Sequence, residues 1–238
     1  RIDHTSIMIL AHSGNTDMID AIENIRRIQT RRYKTYNAQR RGDKNNTNQW
    51  INDRGDTILH HLARYVNISI LEQNCKEPTK HLGKLIAYLI NIEKVPISAR
   101  TADGNTPFHL LAMRKEDDNT KIINAFYQNL DQNGDYSDSF EDIDVLNENG
   151  HSALAIAAVH GKAIHVTSLI QKFGGVNTYM KNNWTPIAHA IWNDRLSATT
   201  LLVENGALLN ICLDTRKSHF EMVTDIYSRN LLMLAVLN

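Results

Sequence analysis

The tetrapeptide Thr106-Pro107-Phe108-His109, with Asp103-Gly104-Asn105 before it and Leu110-Leu111-Ala112 after it, returns in altered form along the whole chain. In register it reads Thr5-Ser6-Ile7-Met8, Thr57-Ile58-Leu59-His60, Ser152-Ala153-Leu154-Ala155, Thr185-Pro186-Ile187-Ala188 and a clipped Asn230-Leu231-Leu232-Met233. Such recurrence excludes a single central core, because each unit buries its apolar faces only against its neighbours. The hydroxyl residue suits a helix N-cap, and Pro107 and Pro186 suit the first turn, where no amide hydrogen is needed. Two residues earlier stand Gly55, Gly104, Gly150 and Asn183, types that tolerate the left-handed backbone of a tight turn. Leu59, Phe108, Leu154 and Ile187 are the expected shared core, and Ala11, Ala63, Ala112, Ala158 and Ala190 keep side chains small where helices approach. A second helix per unit is marked by Met18-Ile19, Leu85-Ile86, Ile122-Ile123, Val166 with Leu169-Ile170, and Leu201-Leu202.

This signature resembles the ankyrin repeat, and Leu202-Val203-Glu204-Asn205-Gly206-Ala207 is similar to the family's helix ending and hairpin entry. The resemblance implies an all-α ankyrin-repeat solenoid across residues 1–238. Its five to six helix-loop-helix units start near 1, 53, 102, 148 and 181, with a partial unit near 226. Only Ser152 to Thr185 keeps the family's spacing of 33; the other intervals are 52, 49, 46 and 45. Inserts are therefore expected around Arg31–Trp50, Val66–Thr79 and Gln132–Ile143, and after Asn210. Histidine at the fourth motif position survives as His60 and His109, where the resemblance implies a buried structural role.

Stacking aligns equivalent residues into rows, and in ankyrin proteins three such rows contact partners. The row just before the cap is Asp56, Asn105, His151 and Trp184, expected near the hairpin tips. Seven residues past the cap come Arg64, Met113, Val159 and Trp192, followed by Tyr65, Arg114, His160 and Asn193. The resemblance implies a protein-binding groove along these positions. Core packing has no need of tryptophan there, whereas exposed aromatics and arginine are favoured at interface hot spots. The competing arrangement has the inserts folding over these aromatics and making them core.

Formal charge is +0, so no global field selects nucleic acid or membrane. Eight basic residues between Arg26 and Lys44, with Tyr33 and Tyr36 interleaved, either grip nucleic-acid phosphate or acidic lipid or form a solvated helix face. Seven acids and no base between Asp131 and Glu148 oppose long phosphate contact, which argues against nucleic acid as the partner. Phosphate binding at Arg26–Lys44 would show as steep salt dependence. No apolar run approaches the ~20 residues of a membrane span. Cys75 and Cys212 lack metal-ligand spacing and fit a reducing, cytoplasmic compartment.

Catalytic signatures do not emerge. Cys75 has His60, His61 and His81 nearby in sequence, but neither a positioned base nor an oxyanion site is indicated. His151, His160 and His165 fall on different helical faces, so no metal site is expected, and no glycine loop calls for a nucleotide cofactor. The expected function is a non-enzymatic adaptor that holds a protein partner. The alternative is a targeting or regulatory arm of a multidomain enzyme or a host-directed effector acting in host cytosol. Both ends cut into a repeat, and the Asn- and Ile-rich composition fits such a source.

Overall fold

The computed structural model describes residues 4–24, 54–114, 120–131, 145–181 and 184–209. Among these residues the regular elements are helices, as the repeat pattern requires. They form two compact bodies, Arg1–Ala102 with Glu116–Tyr136, and Asp103–Lys115 with Ser137–Asn238. The sixth unit, the basic stretch Arg26–Lys44, Cys212, and the inserts around Arg31–Trp50 and Gln132–Ile143 lie outside the described residues, except for Ile143's neighbours from residue 145 onward.

In the first body, α1 (His4–Ser13) and α2 (residues 16–24) are the helices of repeat one. Repeat two contributes α3 (Ile58–Tyr65), α4 (Ile68–Asn74) and α5 (Pro78–Asn91). The insert around Val66–Thr79 is thus not a plain loop, since its centre winds into α4. Helix α1 touches α3, α4 and α5. The second helix of repeat three, α7 (Thr120–Asp131), packs along α5. Ile19, Leu85, Ile86, Ile122 and Ile123 are buried, as their pairing on second helices predicts. Buried His81 donates from Nε2 to the Leu10 carbonyl at 3.0 Å, and burial lowers its pKa.

The second body begins with α6 (Pro107–Met113), the first helix of repeat three. Repeats four and five supply α8 (Ala153–Val159) with α9 (Ala163–Phe173), and α10 (Pro186–Trp192) with α11 (Leu196–Glu204). First helices form one row, α6 on α8 and α8 on α10, while α9 and α11 pair in a second row behind them. The alanine row explains the close approach: Ala112, Ala158 and Ala190 are completely buried, as is Ala63 in the first body. Phe108, Leu154 and Ile187 fill the space between helices, and Phe108 meets Phe173 of α9 edge-on at 5.3 Å.

The cap chemistry follows the motif. Thr106 has extended backbone angles, and its amide donates to His109 Nδ1 at 3.2 Å while its hydroxyl lies 2.8 Å from the same nitrogen. A backbone amide can only donate, so Nδ1 is unprotonated and the ring proton sits on Nε2. That proton is directed at the His151 carbonyl of the next repeat, 3.1 Å away. Thr57 and His60 repeat the arrangement at 3.0 and 2.9 Å in the first body. In repeat four the histidine is replaced by Ala155. There Ser152 Oγ accepts the Ala155 amide, and the Ser152 amide turns to Met180 Sδ at 3.2 Å.

Between repeats the loops are tied by backbone rungs: Ala102 to Arg54 at 2.7 Å, Glu148 to Asp103 at 3.0 Å and Lys181 to Gly150 at 3.0 Å. Gly55, Gly104 and Gly150 adopt φ of 76, 72 and 76°. A Cβ on Gly150 would lie 2.0 Å from Lys181 Cβ, whereas one on Gly206, with φ of 87°, would meet nothing within 4 Å. Gly206→Ala should therefore show the conformational cost alone, about 1–2 kcal/mol. Gly150→Ala should lose clearly more, at least ~2 kcal/mol in urea unfolding, because the rung must also give way. Equal losses at the two glycines would refute the close-approach explanation.

Candidate functional site

The first helices of the second body present a run of aromatic rings. His151 meets His189 at 5.2 Å and 87°, His189 meets Trp184 at 5.2 Å and 54°, and Trp184 meets Trp192 at 5.6 Å and 74°. His151 and Trp184 come from the row before the cap and Trp192 from the row seven past it, so the repeat register itself brings them together. Trp192 is 44% exposed, and Trp184 and His151 are half-buried. Val159 and Asn193 are half-buried beside exposed His160, and Met113 is half-buried at the end of α6. Asn193 is fixed by donation from Nδ2 to the His189 carbonyl at 2.8 Å.

Edge-on aromatic pairs are worth ~0.5–1.5 kcal/mol beyond the area they bury, so the two tryptophans hold each other in place. Burial lowers the pKa of His151. Burial, with His151 as second cause, takes His189 down to about 4. Both rings are thus neutral at physiological pH, and the strip is apolar and aromatic rather than charged.

In the first body the same rows supply Arg64 and Tyr65, both exposed. The Arg64 guanidinium lies 5.7 Å from the centre of the Tyr65 ring, within cation–π range, and His61 stands 5.8 Å from Tyr65 on its other contact.

Three expected contact residues belong elsewhere. Asp56 and Asn105 are buried, not displayed at hairpin tips. Asn105 Oδ1 accepts from Asn147 Nδ2 at 2.9 Å, and Asn147 Oδ1 accepts the His151 amide at 3.0 Å, so this row staples one loop to the next. Arg114 is also buried. Helix α6 ends there in extended backbone (φ −60°, ψ 137°), which turns the residue inward. Helices α8 and α10 end instead with αR-like His160 and Asn193, followed by positive φ at Gly161 and Asp194, which leaves these positions at the surface.

Two further residues, outside the three rows, belong to the strip. His189 lies between the expected rows, yet it touches the rings of two of the site residues, His151 and Trp184. Arg195, the N-cap of α11, reaches back to the Val159 carbonyl with Nε at 2.9 Å and so borders the strip. Among the described residues, no three His, Cys, Asp or Glu side chains converge as metal ligands would. No helix among them is long and apolar enough to cross a membrane.

A family model described as ankyrin repeats, in three copies, matches residues 126–212. Residues 126–212 carry ankyrin repeats. That match runs from α7 to just past α11 and so covers the helices that hold the tryptophan pair. Comparison with curated proteins finds no match. Ankyrin repeats are in general modules of protein–protein interaction.

Proposed function

We propose that this ankyrin chain is a non-catalytic adaptor that holds a protein partner on the aromatic strip of its second body; the first body, taken by itself, offers Arg64 and Tyr65 as contact residues. The observation that carries this reading is the Trp184–Trp192 pair. Helix α10 buries Pro186 through Ala190, yet ends in a tryptophan left 44% open and braced by a second one. A rigid, half-desolvated tryptophan at the surface is the kind of anchor that interface hot spots favour. His151, Val159, His160, Asn193 and Met113 surround the anchor and set orientation. Asp56, Asn105 and Arg114 are withdrawn from the contact set, because their polar groups are used inside the fold. Cys75 is a free thiol, which fits residence in a reducing compartment such as the cytoplasm.

Trp192→Ala is expected to weaken a partner recovered from cell extract by more than ~1 kcal/mol, while the melting temperature changes little. Isothermal titration with the purified partner, alongside thermal unfolding, reads both quantities. A large drop in melting temperature without a change in affinity would make Trp192 a core residue and end the reading.

A further inference from the structure

In repeat one the residue seven past the cap position is His12, the counterpart of Trp192, and the chain covers it with its own insert. Helix α4 lies on α1, its first amide reaching back to the imidazole: Asn67 N–H donates to His12 Nε2 at 3.0 Å. His12 Nδ1–H is spent on the Met8 carbonyl at 2.9 Å, which holds the ring in the tautomer that can accept. At the other end of α4, Asn74 Nδ2 donates to the His12 carbonyl at 3.0 Å. Ile68 and Leu71, three residues apart and so on one helical face, are buried, while Ile70, Glu72 and Gln73 remain outward.

Seven residues are too few to stay helical in water, so α4 owes its form to the seat it occupies. The molecule therefore holds a working example of what this row accepts: a short amphipathic helix, with its polar backbone start placed on a row side chain. In the second body the corresponding row carries Val159 and Trp192, on α8 and α10, and no described helix of the chain lies over Trp192, which stays 44% exposed.

We propose that the Val159–Trp192 row takes a short amphipathic helix from a partner protein, in the manner in which the His12 position takes α4. This rests on the adaptor reading and names the kind of partner. Geometry sets the pattern the ligand must carry. Packed neighbouring helices stand ~8–10 Å apart, and two turns of a ligand helix rise about 11 Å. A ligand lying across α8 and α10 thus places residues seven apart on Val159 and on Trp192, with the residue at i+3 or i+4 facing the space between them. Trp184 backs the second contact, and His160 and Asn193 border it with polar groups.

The test is a display selection of random 16-residue peptides on the full chain, counter-selected on a Val159→Ser/Trp192→Ala variant. Enriched peptides should carry apolar residues at i, i+3 or i+4, and i+7, gain helical circular dichroism on binding, and lose at least tenfold in affinity when a central residue becomes proline. Enrichment of peptides that need Trp192 but show alternate-residue or proline-rich patterns would overturn the helical ligand while leaving the adaptor reading in place. Enrichment that ignores the double substitution would overturn both.

Discussion

Lowering the pH from 7 to 4.5 is expected to remove roughly 2–3 kcal/mol of stability from the second body through His165 alone, and His165→Leu is expected to abolish that share. His165 on α9 is 2% exposed, and neither ring nitrogen has a hydrogen-bond partner among the described residues. Burial, helped by the positive charges of Lys162 and Arg114, holds its pKa down to about 3 against the ordinary 6.5. As pH falls through 6.5 the unfolded chain takes up a proton that the folded chain refuses until about pH 3. Stability from this group is therefore complete above 6.5 and declines steadily below it. Each pH unit inside that window is worth about 1.4 kcal/mol. His189, held at about 4, pulls in the same direction over a shorter window.

Carboxylates titrate alike in wild type and variant, so the difference between the two chains isolates His165. Urea midpoints followed by tryptophan fluorescence at pH 7 and 4.5 provide the measurement. At pH 7 the leucine chain should be at least as stable, because two buried, unpaired nitrogens are replaced by apolar surface. An equal acid loss in both chains would show that His165 is not the titrating group.

Phe108→Ala is expected to cost about 3–5 kcal/mol, the largest effect of any single substitution considered. Its ring is 1% exposed at the start of α6, touching Phe173 on α9 edge-on. Removing the ring takes away both the apolar area and the aromatic contact, and leaves a void between helices whose backbones are already held close by Ala112 and Ala158. A stacked array has no distant core to compensate, because each repeat rests only on its neighbours. Phe108→Leu should recover most of the loss. A change below about 1 kcal/mol for alanine would mean that the third repeat does not depend on this position.

The helices were legible because the cap residue, the proline after it and the alanine five or six past the cap are fixed by local geometry. Capping needs a hydroxyl at one place, and close packing needs a methyl at another; both leave marks in a single sequence. The contact rows were legible only where helix ends are regular. His160 and Asn193 stay out because an αR residue followed by positive φ ends their helices, and the His160-Gly161 pair carries a trace of that turn. Arg114 has no such successor, and its burial follows from an extended helix end that spacing does not reveal.

Asn105 is hidden from the sequence for a different reason. Its partner, Asn147, is 42 residues away, and nothing short of register analysis of the loop positions would pair them. The seat of α4 was equally hidden. The insert that holds it is apparent from the enlarged interval between repeats, but its docking on His12 depends on a backbone amide finding an imidazole 55 residues distant.

The cap contacts that join the repeats of the second body differ in kind. One imidazole grips its own cap and the neighbour's carbonyl where α6 meets α8; a thioether alone meets the cap amide where α8 meets α10; and the buried Thr185 hydroxyl at the head of α10 meets nothing. Where α8 meets α10, the Lys181–Gly150 rung and the Arg195–Val159 bond take the place of the imidazole that ties the preceding repeats. A ligand bridging Val159 and Trp192 crosses the seam that lacks the imidazole, so it would act there as a splint.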